Sequence, residues 1–166
     1  MDYMFASAEK FNQNINTKTL STSESPTGSQ YTAWDVSNVT SMGGMFVNAE
    51  KFNGNIADWD VSNVNTMNQM FTNCSVFDKN IENWTVSNVT DMNSMFSGAS
   101  VFNQDISGWN MSNVTTMSSM FLSASAFNQN IRKWNVSSIT NTDNMLNVFL
   151  NATAMTSNYS SLPNQS

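Results

Sequence analysis

Asp58 and Asp60 flank Trp59, and two carboxylates that close in sequence suggest either a shared-proton acid pair or the start of a calcium site. The corresponding places in the neighbouring stretches hold Asn83 and Thr85, then Gly108 and Asn110. A calcium loop needs about six oxygen ligands, several of them carboxylates, and no such spacing occurs. There is no histidine, so no serine has an imidazole to activate it. The single cysteine, Cys74, stands where related stretches carry alanine, and it reads as a small buried residue rather than a reactive thiol. Thirteen methionines suggest soft thioether ligands for copper, but their spacing and apolar neighbours place them in a core. No catalytic, cofactor-binding or metal-binding residue is assigned, and the chain reads as non-enzymatic.

The framework around these residues is a repeat. Trp34, Trp59, Trp84, Trp109 and Trp134 recur with a constant period of 25 in the numbering. Val36, Val61, Val86, Met111 and Val136 keep the same period, as do Met45, Met70, Met95, Met120 and Met145. Phe46, Phe71, Phe96 and Phe121 follow it too, with Leu146 next, and so do Phe52, Phe77, Phe102 and Phe127. The unit reads W-x-V-S-N-V-T-x-M-x-x-M-F-x-x-A-x-x-F-N-x-N/D-I.

Within a unit, Val39, Met42, Met45, Phe46 and Ala49 fall at three- and four-residue steps, which predicts about three turns of helix. Ser37 or Thr40, and their counterparts Ser62, Ser87, Ser112, Thr90 and Thr115, are placed to cap its start. Phe52 to Ile56, and the two-residue step from Trp59 to Val61, predict short extended segments. One helix and short strands cannot bury their own apolar faces, so the units must stack. The expected fold is an α/β repeat solenoid, leucine-rich-repeat-like, of about five coils that each pair a short helix with short strands. Stacking sets Trp34, Trp59, Trp84, Trp109 and Trp134 in one ladder and Asn38, Asn63, Asn88 and Asn113 in another. Two further ladders run through Asn53, Asp78, Asn103 and Asn128, and through Asn55, Asn80, Asp105 and Asn130. Asparagine bonds readily to turn backbone, so these ladders read as structural. An exposed tryptophan row would instead be a platform on which sugars stack.

The expected solenoid domain spans 1–146. It comprises a half-repeat at 1–15, an insertion at 16–33, and repeats from 34, 59, 84, 109 and 134, with 147–166 as a C-terminal cap or tail. The insertion is rich in Ser and Thr and contains Pro26 and Gly28, the composition of an exposed flexible loop. It is either a site for O-linked sugar or a tolerated insertion. Because the opening half-repeat matches what the last unit lacks, head-to-tail stacking between chains would continue the solenoid. The alternative is that Val148, Phe149 and Leu150 fold back as a cap.

Charged residues make up only 11% of the chain and the net charge is -6, with no basic cluster to neutralise phosphates. Nucleic acid is thereby disfavoured as a partner, and the lack of any apolar run long enough to span a bilayer disfavours membrane insertion in this segment. N-x-S/T sequons recur at Asn38, Asn73, Asn83, Asn88, Asn110, Asn113, Asn135, Asn151 and Asn158. Most arise from the S-N-V-T turn, as at Asn38, Asn88 and Asn113; Asn151 and Asn158 fall outside the predicted repeats and are the better glycan candidates.

The stretch WDVSNVTSMGGMFVNAEKFNGNI from Trp34, and WNMSNVTTMSSMFLSASAFNQNI from Trp109, closely resemble the repeat of BspA-like bacterial surface proteins. Departures are Met111 for Val, Ser138 for Asn, Thr142 for Met, Leu146 for Phe, and the insertion. The resemblance implies leucine-rich-repeat-like coiling, extracellular or cell-surface display as in surface lipoproteins, and adhesion or interaction with a protein or glycan. It carries no catalytic residues to transfer. Two functions are therefore expected of this chain: a surface interaction module, or a subunit of an extracellular filament built by head-to-tail stacking.

Overall fold

The structure is a computed structural model that describes residues 1–21, 23 and 31–158. Its regular elements are few: β1 (Lys18–Leu20), β2 (Tyr31–Ala33), a 3-10 turn at Thr142–Met145, and α1 (Thr153–Asn158). No α-helix occupies 39–49 or its counterparts, the last of which holds only the 3-10 turn, and no strand occupies 52–61. The expected α/β coil of helix plus strands is thus overturned, and with it the role of Ser37 and Thr40 as helix caps.

The reason lies in the backbone. Gly44 and Asn48 sit at φ of 59°, and their counterparts Gln69 and Asn73, Ser94 and Gly98, Ser119 and Ser123 are also left-handed. A right-handed helix cannot hold such residues. Each instead serves a tight turn: the N–H of Met45 bonds the carbonyl of Met42 at 3.2 Å, and the N–H of Ala49 bonds that of Phe46 at 2.9 Å. The alternate N–H groups leave the coil altogether. Met42, Gly44, Phe46 and Asn48 donate to the carbonyls of Thr66, Asn68, Met70 and Thr72 in the next unit, at 2.8 to 3.0 Å. A left-handed residue at every fourth position keeps returning the chain to one side, so apolar side chains at three- and four-residue steps share a face without any helix.

These bonds stack each unit on the next. Isolated parallel bridges join Ser41 to Thr66, Thr66 to Asp91 and Asp91 to Thr116. Two columns of phenylalanine rings fill the interior. Phe5, Phe46, Phe71, Phe96 and Phe121 lie 5.4 to 5.6 Å apart along one column, and Phe11, Phe52, Phe77, Phe102 and Phe127 lie 5.7 to 6.0 Å apart along the other. Within a coil the two columns touch, with Phe46 and Phe52 only 4.0 Å apart. Offset parallel rings suit the quadrupoles of the π-systems, and eight of these phenylalanines are fully buried. Met42, Met45, Met67, Met70 and their successors fill the space around the rings.

The last coil is shifted. Met92 donates to Thr116, whereas Met117, one period later, donates to Asn144 and not to Asn141, the next place in that series. The extra residues are taken up around the 3-10 turn, where Asn141 caps the N–H of Asp143 through its side chain. The stretch 147–152, expected as the start of a cap or tail, therefore lies on 119–124, and Asn147 and Asn151 repeat the left-handed pair. Val148, Ala152 and Met155 are buried, while Met145 and Leu146 are exposed.

The insertion enters and leaves through an antiparallel ladder, with Lys18 opposite Ala33 and Leu20 opposite Tyr31. The expected loop is thus a hairpin at its base. Pro26 and Gly28 lie outside the described residues, as does the tail from 159.

Candidate interaction surfaces

The tryptophan ladder forms, and it is structural along most of its length. The indole N–H groups of Trp59, Trp84, Trp109 and Trp134 donate to the carbonyls of Ile15, Ile56, Ile81 and Ile106 at 2.8 to 3.3 Å. Trp59 and Trp84 stack 6.5 Å apart within 3° of parallel. Trp34 departs from this. It is 39% exposed, against at most 4% for Trp59, Trp84 and Trp109, and its backbone is left-handed at φ 52°. Among the described residues its indole N–H has no such carbonyl.

Trp34 borders an open cleft of about 380 Å³, lined also by Asn14, Asn16, Thr17, Lys18 and Ala33. The paired residues Lys18 and Ala33 at the base of the hairpin form one wall of this cleft, beside the half-repeat that stacks on the first full unit. Asn16 is held firmly: its amide donates to Asp58 at 2.7 Å and its oxygen accepts the Asp58 N–H at 2.8 Å. Thr17 fixes the rim by donating to the carbonyl of Trp34. The spacing of the tryptophans carries no sign that the first would differ; only the delay introduced by the insertion could have marked it.

The asparagine ladder also forms. The side-chain amides of Asn63, Asn88 and Asn113 donate to the carbonyls of Ser37, Ser62 and Ser87 one coil back, at 2.7 to 2.8 Å. Ser138, an apparent departure, does the same work with its hydroxyl on Ser112. Asn38 is exposed and makes no such bond among the described residues. In the second ladder Asp78, Asn103 and Asn128 each give their backbone N–H to the side chain one coil back, and the buried oxygen of Asn128 ends the series unpaired. The third ladder differs: Asn55, Asn80, Asp105 and Asn130 bond the backbone two residues on, closing local turns.

The acidic pair is likewise taken up by structure, Asp58 by the Asn16 amide and Asp60 by a turn. Asp60 accepts from Ser62, as Asp35 does from Ser37, and the serine hydroxyl and N–H hold both carboxyls below their usual range. Among the described residues no group of three or more His, Cys, Asp or Glu side chains could hold a metal ion. Cys74 is buried with its Sγ 3.0 Å from the carbonyl of Phe46, and burial pushes its thiol up to about 12. Of the glycan candidates, Asn151 lies within the last coil at a left-handed position, and Asn158 is the final residue of α1, its side chain outside the described residues. No helix among the described residues is long and apolar enough to cross a membrane.

A chain whose polar positions repeat in this way is matched by one family model, described as Mycoplasma protein of unknown function, DUF285, over residues 1–59, 18–114 and 73–165. The chain belongs to the DUF285 family. The three overlapping matches tile nearly all of it, as a repeat allows, and the stacked units described above are what the DUF285 match encompasses. Among curated proteins and solved structures, none matches.

Proposed function

We propose that this DUF285 chain is a non-enzymatic surface module, displayed outside the cell, that binds a glycan or protein partner in adhesion. The finer resemblance to BspA-like surface repeats supports this reading. The observation that carries it is the exposure of Trp34 at the hairpin cleft. An indole face beside fixed amides suits a sugar, because the apolar face of a pyranose stacks on the ring while its hydroxyls bond the amides. The low charge of the chain favours a partner recognised by hydrogen bonds and stacking rather than by ion pairing.

Glycan-array binding followed by tryptophan fluorescence tests the proposal. A bound oligosaccharide should change the emission of the parent chain, and Trp34→Ala should abolish binding while Val101→Ala, exposed and distant in the repeat, leaves it intact. Binding that survives Trp34→Ala would move the partner to another face.

A further inference from the structure

We infer that the two end faces of the stack are complementary, so that one copy of the chain associates head to tail with the next. Along the left-handed turn segment every interface has the same polarity, with alternate N–H groups of one coil donating to carbonyls of the coil that follows, while Asn65, Thr90 and Thr115 beside it donate back to Thr40, Asn65 and Thr90. In the last such interface Ser119, Phe121 and Ser123 donate to Leu146, Val148 and Leu150. The last coil in turn presents the N–H groups of Asn147, Phe149 and Asn151 at the same three positions. At the other end Tyr3, Phe5 and Ser7 donate to Gly43, Met45 and Val47, leaving the carbonyls of Asp2, Met4 and Ala6 on the outer face. None of these six groups is paired among the described residues. Rows of unpaired donors and acceptors are a template for pairing with another chain.

The two rows also match in register. Repeating the internal interface once more sets the N–H of Asn147 on the carbonyl of Asp2 of a second copy, Phe149 on Met4, and Asn151 on Ala6. The ring of Phe149 then lies over Phe5 and continues the phenylalanine column without a break. Apolar surface points the same way: of the seven exposed large hydrophobics among the described residues, Tyr3 and Met4 lie on the first coil and Met145, Leu146 and Leu150 on the last. Joining the ends removes that surface from water. Because the two faces differ, the contact is heterologous and does not close, so copies add in a line.

Sedimentation of the 166-residue chain over a concentration series is the test. The mean mass should rise through dimer and trimer without a plateau. Met4 and Leu150 are 51% and 50% exposed, so Met4→Glu and Leu150→Glu alter the end faces and spare the core. Each change alone should weaken association by about tenfold or more, since it buries an unpaired charge. A mixture of the two variants should form dimers and stop, each chain keeping one intact face. Tryptophan emission matching the parent shows that a variant is folded; Leu146→Glu, on the same face, replaces Leu150→Glu if it is not. A chain that stays monomeric, a plateau at dimer, insensitivity to both substitutions, or a mixture that remains monomeric would each overturn the inference. Glycan binding at Trp34 has a separate readout and is not needed for it.

Discussion

The ring of Phe149 lies 5.7 Å from that of Phe121 and within 5° of parallel, although Phe149 stands three places beyond the position that the repeat period assigns to this column. That position belongs to Leu146, which is instead exposed. Phe149→Ala should therefore destabilise the chain by about 2 to 4 kcal/mol, the range for losing a packed aromatic ring with partial relaxation. Leu146→Ala should lie within about 0.5 kcal/mol of the parent. Urea unfolding of the two variants decides the register, because a strictly periodic repeat would reverse the order.

Ser119 sits at φ 57° in a turn, with its N–H bonded to Leu146 in the next coil. A left-handed backbone costs a residue with a β-carbon roughly 1 to 2 kcal/mol, part of which glycine recovers against its greater freedom when unfolded. Ser119→Gly should raise stability by up to about 1 kcal/mol. In a helix the same change would lower stability by about 0.5 kcal/mol, so the sign of the shift in thermal midpoint separates the two backbones.

The repeat, its stacking and the burial of its aromatic and methionine positions were all legible in sequence, because identical residues at a fixed interval can share a core only by lying over one another. The backbone that carries them was not. Met42, Met45, Phe46 and Ala49 satisfy a helical period and also a chain of turns that returns at every fourth position, and apolar spacing alone cannot separate the two. The distinguishing signal was small and polar: glycine, asparagine or serine at positions such as 44, 48, 94, 98, 119 and 123, where left-handed residues fall. The shift at the last coil was hidden for a related reason. Met145 and Leu146 fit the period by type, while the fragment from Val148 to Ala152 repeats Met120 to Ala124 less obviously. The candidate cleft is the least legible part, since the sequence marks Trp34 only as one member of a ladder.

Asn88 reaches back to the carbonyl of Ser62 at 2.7 Å, and Ser138 makes the equivalent contact with a shorter side chain. Asn88→Ala should cost about 1 kcal/mol, the net value of one such bond at an accessible carbonyl. Asn88→Ser should regain much of that loss. Equal losses for the alanine and serine variants in urea unfolding would show that the bond between coils contributes nothing.

Burial of Cys74 against Phe46 disfavours the thiolate, and its titration moves from 9.0 to about 12. At neutral pH the native thiol should therefore resist alkylation and react only when the chain unfolds. The linkage has a definite sign. Between pH 9 and pH 12 the unfolded chain releases this proton and the folded chain keeps it, so folding binds the extra proton and loses stability as pH rises. The contribution is fully present below pH 9 and should fall by about 1.4 kcal/mol per pH unit through that window. Alanine occupies the equivalent positions 49, 99 and 124, so Cys74→Ala keeps the packing and removes the titration. Other groups titrate equally in both chains, and the stability difference between parent and Cys74→Ala, measured by urea unfolding from pH 8 to 11, isolates the thiol. A difference that stays constant with pH would show that the thiol is not held from water in the folded stack.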